Sequence, residues 1–234
     1  MIKAITFDFW NTLYLTPPNR TLHDIRINGV TRVLQNAGYE LSQEEVSEVF
    51  LQVWAHVYRE QRAYGREFSP PQQLRQILQR MNVNISSSIW EEAYYYYSGT
   101  LLEYPPRINT DVIETLPRLK ERYKLAVICN TGISPGSVLR KLMERDGIIG
   151  CFEHLTFSDE VDCAKPNRRI FEYTLEKLGV PGIEAAHIGD DKLTDIVGAK
   201  MAGMTAVWLA PGQNWKVPEA DYHLQTVKEL LDLW

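Results

Sequence analysis

The 234-residue sequence has few cysteines, no run of basic residues and no long apolar stretch. Its three cysteines, Cys129, Cys151 and Cys163, lack C-x-x-C spacing, which argues against structural zinc and favours free thiols in a reducing compartment. A formal net charge of −5 without a basic tail argues against general binding to nucleic acid or to a membrane surface. No apolar run approaches membrane-spanning length, and the first ten residues turn acidic too soon for a signal peptide. We therefore expect a cytoplasmic protein.

Apolar residues are numerous enough for a sizeable core. Hydrophobic residues make up 44% of the chain and charged residues 24%. Short apolar runs bounded by polar residues, Gly or Pro have the length of strands; they lie at 2–7, 124–129, 154–157, 185–189 and 205–210. From residue 109 onward these runs alternate with helical segments, which is typical of βαβ units. The sequence therefore predicts an α/β fold with a parallel sheet.

Capping signals mark several helices. Ser134 before Pro135 predicts one helix start, and Asn167 predicts another whose helix ends at Gly179. Within residues 15–105, Ser42-x-x-Glu45 and Ser88-x-x-Glu91 have the spacing of capping boxes, and no convincing strand lies between them. We therefore predict an all-helical cap domain at 15–105, inserted after the first strand of a core domain formed by 1–14 and 106–234.

Polar residues follow four of the predicted strands. Because ligands bind beyond the carboxyl ends of the strands in an open parallel sheet, these residues are candidates for one site. They are Asp8 after the first run, Cys129, Asn130 and Thr131 at the second, Lys165 after the third, and Asp190, Asp191 and Asp195 after the fourth.

This set of residues suits phosphoryl transfer. A carboxylate such as Asp8 can attack phosphorus and form an aspartyl-phosphate, which divides one difficult displacement into two steps. Asp8 and Asp190 offer the hard oxygen ligands that Mg²⁺ prefers. Lys165 would keep Asp8 ionised and neutralise a phosphate oxygen, while backbone N–H groups and a hydroxyl or thiol after the second strand would bind the other phosphate oxygens.

The chain resembles the haloacid dehalogenase superfamily over essentially its whole length. "FDFWNTLY" resembles motif I, "AVICNTG" motif II, "CAKPNRRIF" motif III and "HIGDDKLTDIVGAKMAGM" motif IV. The resemblance implies a Rossmann-like core with an inserted helical cap of the C1 type, as in subfamily I. It also implies roles for single residues. Asp8 would be the nucleophile and Lys165 the motif III lysine. A Mg²⁺ ion would be held by Asp8, the Trp10 main-chain carbonyl and Asp190, with Asp195 in support, and phosphate would be bound by Cys129, Asn130, Thr131 and Trp10.

Two residues depart from the pattern of the phosphatases in this superfamily. Those enzymes usually have a second aspartate where this chain has Trp10, and that aspartate protonates the leaving oxygen. Indole cannot exchange a proton usefully near neutral pH, and losing positioned acid–base catalysis typically costs roughly 10²–10⁴ in rate. At Cys129, motif II normally has Ser or Thr, so a weaker hydrogen-bond donor replaces a hydroxyl unless Thr131 substitutes.

Three functions follow from these departures. The leading hypothesis is a Mg²⁺-dependent hydrolase of a small phosphorylated compound, with slow turnover or a good leaving group. The second is a 2-haloacid dehalogenase, which needs no metal and would need a cation for the substrate carboxylate; Arg20, Arg26 and Arg32 are candidates that we expect to lie at the surface. The third is a non-catalytic binding or regulatory protein. Three clustered aspartates would repel one another without a cation, and this favours the first hypothesis.

Further expectations concern the cap and the partners. His23 is a candidate for the missing acid, although a surface or capping histidine is the more common case. Cap movement is expected around 14–18 and 104–107, where Pro17-Pro18 and Pro105-Pro106 mark the two crossings. The expected partner is a small-molecule substrate rather than nucleic acid or a membrane, and the protein is expected to be a monomer or a homodimer.

Overall fold

The computed structural model describes residues 1–16, 19–213 and 216–234, and for residues 19–21 the backbone alone. Its centre is a six-stranded parallel sheet in the order β3-β2-β1-β4-β5-β6. The strands are β1 Ala4–Phe7, β2 Lys124–Cys129, β3 His154–Phe157, β4 Ala185–Gly189, β5 Thr205–Leu209 and β6 Tyr222–Leu224. The predicted α/β fold is confirmed. Strand β6 was not predicted, because three residues are too few to show a strand pattern.

The central strand β1 places Asp8 between two neighbouring strands. Phe7 pairs with Val127 of β2 on one side and with Ile188 of β4 on the other, so the three strands end within two residues of the same level. Every residue of β1 is buried. Alternate side chains point to opposite faces, where Ile5 and Phe7 join one hydrophobic cluster and Ala4 joins another. An acidic residue therefore follows a strand that is buried on both faces.

Helices cover both faces of the sheet. They are α5 Thr110–Lys120, α6 Gly136–Arg145, α7 Ser158–Val161, α8 Arg168–Leu178 and α9 Gly198–Met201, which continues a π-helical segment Lys192–Val197. Short 3₁₀ segments lie at Thr100–Leu102, Ile149–Cys151, Gly182–Glu184 and Val227–Asp232.

The capping predictions for the core helices had mixed outcomes. Asn167 accepts a hydrogen bond from the Arg169 N–H, and Gly179 ends α8 in the left-handed conformation, as predicted. The prediction that Ser134 caps α6 was wrong, because Pro135 is the N-cap residue and its ring offers no cap acceptor. The Asp159 carboxylate accepts from the Gly136 N–H instead (3.1 Å), so a residue distant in sequence supplies that cap.

Four helices lie between β1 and α5: α1 Asn19–Asn36, α2 Gln43–Tyr64, α3 Pro70–Arg80 and α4 Ser87–Ser98. They share a hydrophobic cluster distinct from the two on the sheet, and we call this helical insertion the cap. Within residues 15–105, no strand is present among those that the structure describes. The domain boundaries themselves stay a prediction. Of the two expected crossings, Pro17-Pro18 lies outside the described residues and Pro105-Pro106 lies in irregular chain before α5.

The capping boxes in the cap can also be compared with the prediction. Ser42 and Glu45 form the predicted box at the start of α2. The prediction for Ser88 and Glu91 was wrong, because the N-cap residue of α4 is Ser86, two residues before Ser88. The four consecutive tyrosines 94–97 cannot all face one side of α4, and Tyr97 is buried while Tyr95 is 47% exposed and the two others are half-buried. Across residues 1–16, 19–213 and 216–234, none of the helices combines the length and apolar character needed to cross a bilayer.

Candidate active site

A cavity of about 320 Å³ lies where the carboxyl ends of the central strands face the cap. Residues after β1, β2 and β4 line its floor, and residues of α1 and α2 line the opposite wall. This is where an open parallel sheet binds its ligands. From the sheet side the lining includes Asp8, Trp10, Asn11, Asn130, Thr131, Lys165, Asp190 and Asp191.

Lys165 joins two carboxylates at the floor of this cavity. Its Nζ donates hydrogen bonds to Asp8 Oδ1 (2.6 Å) and to Asp195 Oδ1 (2.7 Å). The Lys165 side chain is almost completely buried, and burial works against its charge, yet the two carboxylates outweigh this and raise its pKa. Lys165 therefore stays a cation, and it keeps one oxygen of Asp8 fixed at the end of β1.

Asp195 is held in place by three neighbouring groups, Lys165, the Asp191 N–H and His187. Its Oδ2 accepts from the Asp191 N–H (2.9 Å), and His187 lies at 3.5 Å from its Oδ1. Burial opposes ionisation of Asp195, but Lys165 and His187 lower its pKa below the usual range. His187 is fully buried and hydrogen-bonded to Thr6 Oγ1 (2.8 Å), so it is a packed core residue. Gly189 leaves room for the carboxylate, because a Cβ at that position would overlap the Asp195 side chain.

Asp8, Asp190 and Asp195 form an acidic cluster that fits a divalent cation. One oxygen from each carboxylate lies within 4.8 Å of the others. Burial and the neighbouring carboxylates raise the pKa of Asp8 against the lowering by Lys165. Burial and Asp195 likewise raise the pKa of Asp190 to about 6. One lysine does not balance three carboxylates, and a cation bound to Asp8 and Asp190 would relieve their repulsion.

The residues after β2 have a different arrangement from the predicted one. The Asn130 side chain donates to the Lys165 carbonyl (2.9 Å) and accepts from the Lys165 N–H (2.7 Å), so both ends of its amide hold the lysine backbone. The Thr131 N–H donates to Ser158 Oγ (2.9 Å) and is therefore already engaged. Cys129 is fully buried in the core cluster beneath the sheet, and it is absent from the described residues that line the cavity. The predicted phosphate contacts of the Cys129 thiol and of the Asn130 amide are thus not what the geometry favours.

Trp10 and Asn11 shape the cavity beside Asp8. Trp10 is half-buried, lines the cavity and packs edge-on against Phe9, with ring centroids 5.0 Å apart. Asn11 has a φ of +54° and its Nδ2 donates to Asp190 Oδ2 (2.9 Å). No role was predicted for Asn11, although its position three residues after Asp8 could have identified it as a residue of the site.

On the cap side, the cavity wall contains an arginine whose burial was not predicted. Arg26 was expected at the surface, but it is only 6% exposed and lines the cavity together with His23. A helix face that packs on the core hides any side chain that it carries, and the spacing of the arginines gave no sign of this. Arg32 is exposed as expected, and the side chain of Arg20 lies outside the described residues.

The sequence profile of the haloacid dehalogenase-like hydrolases matches residues 2–203. The chain therefore belongs to this hydrolase family. Among curated relatives, the glyceraldehyde 3-phosphate phosphatase of Methanopyrus kandleri is 31% identical to this hydrolase, over 100% of the present chain and 97% of that protein. The glyceraldehyde 3-phosphate phosphatase of Methanothermobacter thermautotrophicus is 30% identical, over 88% and 85% of the two chains.

Solved structures agree with the hydrolase assignment. A phosphatase of the same superfamily from Thermococcus onnurineus aligns with a TM-score of 0.70 and 28% identity, over 99% of this chain and 97% of that one. A 2-haloacid dehalogenase from Pseudomonas syringae aligns with a TM-score of 0.74 at 22% identity, again over 99% and 97%. The second likeness establishes the shared fold and nothing about chemistry.

Proposed function

We propose that this hydrolase is a Mg²⁺-dependent phosphatase of a small phosphorylated compound, and that it works through a covalent aspartyl-phosphate on Asp8. The observation that carries the proposal is the contact of 2.6 Å between Asp8 Oδ1 and Lys165 Nζ at the floor of the cavity, beside the Asp190 and Asp195 carboxylates. Two relatives are glyceraldehyde 3-phosphate phosphatases, and this supports a small phosphorylated substrate.

In the first step, an Asp8 oxygen attacks phosphorus and forms an O–P bond while the ester P–O bond breaks and the substrate oxygen leaves. Lys165 favours the ionised form of Asp8 against the effect of burial, and it neutralises a phosphate oxygen as charge builds up. In the second step, water attacks the phosphorus of the intermediate, the bond between phosphorus and the Asp8 oxygen breaks, and inorganic phosphate leaves. Asp8 is restored as a carboxylate, and the proton that water loses balances the one that the departed substrate oxygen takes up from solvent. Asn130 acts as a positioning residue, since its amide fixes the backbone from which Lys165 extends.

Mg²⁺ would be held by Asp8, Asp190 and the Trp10 carbonyl, with Asp195 in support, and would supply charge neutralisation between nucleophile and phosphate. Asn11 would orient Asp190 through its hydrogen bond of 2.9 Å. Asp195 has both oxygens occupied by Lys165 and by the Asp191 N–H, which suits a supporting role better than direct ligation.

Trp10 restricts the substrates that such a site turns over quickly. Its indole cannot give a proton to a departing alkoxide. Acyl and aryl oxyanions leave without that help, so substrates with such leaving groups should react faster than simple alkyl phosphates.

The direct test compares the wild type with Asp8→Asn and with Asp24→Asn, which changes an exposed aspartate on α1 and serves as the control. Asp8→Asn and EDTA treatment should each reduce phosphate release from p-nitrophenyl phosphate by about 10³-fold or more, and Mg²⁺ should restore the EDTA-treated enzyme. Turnover that is insensitive to EDTA would sink the proposal. Binding of beryllium fluoride with Mg²⁺, without turnover of any phosphate ester, would indicate the non-catalytic function instead.

One observation favours the dehalogenase hypothesis as the second candidate. Arg26 lines the cavity, and a cation there could anchor the carboxylate of a 2-haloacid. Chloride release from 2-chloropropionate in the presence of EDTA would support this function over phosphate hydrolysis. Trp10 is compatible with release of a halide, which needs no proton, whereas the acidic cluster is useful only with a metal and favours phosphate hydrolysis.

A further inference from the structure

Arg26 is a buried cation in the cavity wall. It extends from α1 and is 6% exposed, and the residues around the cavity opening include its side chain. Its partner is Ser134 of the core, whose Oγ accepts from the Arg26 NH2 group (2.9 Å). No further partner is present for the Arg26 Nε among residues 1–16, 19–213 and 216–234.

The described residues offer Arg26 no carboxylate within ion-pair distance. Burial of the guanidinium lowers its pKa to about 10, and Tyr97 opposes this only in part. Burying a cation beside one neutral hydroxyl is costly, because the charge loses water without gaining an anion. The other cap cation at this cavity, Arg62, differs in this respect, since it forms an ion pair with Asp191.

His23 lies three residues before Arg26 on the same face of α1. Its ring packs edge-on against Phe50 and Trp54, and its buried Nδ1 lacks a hydrogen-bond partner within the described chain. Burial and the nearby Arg26 lower the pKa of His23, so its ring is neutral at physiological pH. The cap wall thus presents two adjacent polar groups whose hydrogen-bonding capacity the protein leaves unused.

We infer that Arg26, with His23 beside it, binds a second anionic group of the substrate, a carboxylate or a further phosphate, distinct from the phosphoryl group that Asp8 attacks. The inference rests on the proposed phosphatase function. Guanidinium binds either anion through charge-assisted hydrogen bonds, and the Nε–H and the second NH2 group of Arg26 are the donors that remain for it. An anion at this position would supply the charge that the buried cation lacks.

The test uses two pairs of substrates that differ in the second group alone. In the first pair, 3-phosphoglycerate carries a carboxylate where glyceraldehyde 3-phosphate carries an aldehyde. In the second, 1,3-propanediol bisphosphate carries a phosphate where its monophosphate carries a hydroxyl. The wild type should have a higher kcat/KM for the anionic member of at least one pair, and the pair that shows the preference identifies which anion Arg26 binds. A wild type that prefers the neutral member of both pairs would overturn the inference without any variant being needed.

Arg26→Gln should reduce that preference by about tenfold to a hundredfold, mainly through a higher KM for the anionic substrate, because one charged hydrogen-bond pair is lost. Arg26→Lys keeps the charge and should retain part of the preference. Arg59→Gln removes an exposed charge from the same cap and is the matched control, with the ratio expected to stay at the wild-type value. An Arg26→Gln variant with an unchanged ratio would show that Arg26 only ties the cap to Ser134. Loss of all turnover in Asp8→Asn tests the phosphatase proposal separately, since it should affect both members of each pair equally.

Discussion

At the scale of single residues, Trp10 sets the limit on the proposed reaction. It lines the cavity next to Asp8, at the position from which phosphatases of this superfamily deliver a proton. The other proposed catalytic residues are in contact with one another, because Lys165 forms ion pairs with both Asp8 and Asp195. The site therefore lacks, at residue 10, a side chain that transfers a proton to the leaving oxygen, and placing an acid there tests this.

Trp10→Asp should increase kcat/KM for an alkyl phosphate by about tenfold or more, a conservative share of what general acid catalysis supplies. The gain should be smaller for p-nitrophenyl phosphate, whose leaving group needs no proton. Initial rates of phosphate release with both substrates measure the effect, and Trp10→Asn, which is equally small but not acidic, is the control. Equal gains from Asp and Asn would mean that the indole only restricts space.

Gly189 controls the position of Asp195. Because a methyl group at residue 189 would overlap the Asp195 carboxylate, Gly189→Ala should displace that carboxylate from Lys165 and reduce kcat by about tenfold or more. Gly150→Ala is the matched control, since its Cβ would meet no atom within 4 Å. Steady-state kinetics and thermal unfolding of both variants provide the comparison. Wild-type kcat in Gly189→Ala would contradict the role given to Asp195.

Single residues differed in how well the sequence predicted them. Asp8, Lys165, Asp190 and Asp195 were predicted to meet, and they do, because parallel strands bring their carboxyl ends to one edge. The roles of the residues after β2 and the burial of Arg26 were not predictable. Both depend on which side of a helix or turn faces the cavity, and that is decided by packing between cap and core rather than by local pattern.

At the scale of elements, the loop between α2 and α3 joins the cap to the core. The Gly65 carbonyl accepts from the Ala164 N–H (3.0 Å), directly before Lys165. Glu67 of the same loop is buried, accepts from Gln61 Nε2 (2.9 Å) and is also hydrogen-bonded with Ser158, the residue that binds Thr131. This cap loop therefore contacts Ala164, which precedes Lys165, and Ser158, which binds Thr131.

Glu67 gives this contact a pH dependence. Burial raises its pKa from 4.5 to about 7, and Asp159 adds to the effect, while hydrogen bonds from Ser158 and Gln61 oppose it. A carboxyl whose folded pKa is raised stabilises the fold fully below its unfolded pKa, and this stability is lost as pH rises through about 7. Between pH 4.5 and pH 7 the loss amounts to up to about 3 kcal/mol.

Glu67→Gln should remove that loss, so its free energy of unfolding should fall less than that of the wild type between pH 5 and pH 8. Chemical denaturation at the two pH values measures the difference. Glu48→Gln changes an exposed glutamate on α2 and should follow the wild type. Parallel pH profiles for wild type and Glu67→Gln would show that Glu67 does not titrate in this range.

Prediction of elements from the sequence was best where the apolar pattern is long or where the helix-capping residues are close together in sequence. The five longer strands and the box at Ser42 and Glu45 were identified from residues a few positions apart. The start of α6 was not, because its cap is supplied by Asp159 from another part of the chain. The short β6 was missed for a related reason, since pairing with β5 rather than its own three residues defines it as a strand.

At the scale of the whole molecule, the cavity lies between two bodies of packed side chains, and a few polar contacts cross between them. Ile133 of the core joins the hydrophobic cluster of the cap. Gln73 of α3 donates to the Gly132 carbonyl (2.9 Å), and Arg62 of α2 forms an ion pair with Asp191. Because both Arg62 and Asp191 line the cavity, their ion pair closes one side of it. Opening the cap to admit substrate would require this pair to separate.

Arg62→Gln should therefore weaken the closed arrangement and raise KM by about twofold to fivefold, with a smaller change in kcat, as expected for one partly exposed ion pair. Added salt should raise the wild-type KM in the same direction, since salt screens the pair, and the variant should respond less. Arg66→Gln is the matched control, because Arg66 pairs with Glu60 inside the cap and crosses no boundary. Steady-state kinetics of the three proteins at low and high ionic strength measure both effects. If Arg62→Gln and Arg66→Gln shift KM equally, the ion pair with Asp191 contributes nothing to closure, and the substrate must be retained by the cavity wall alone.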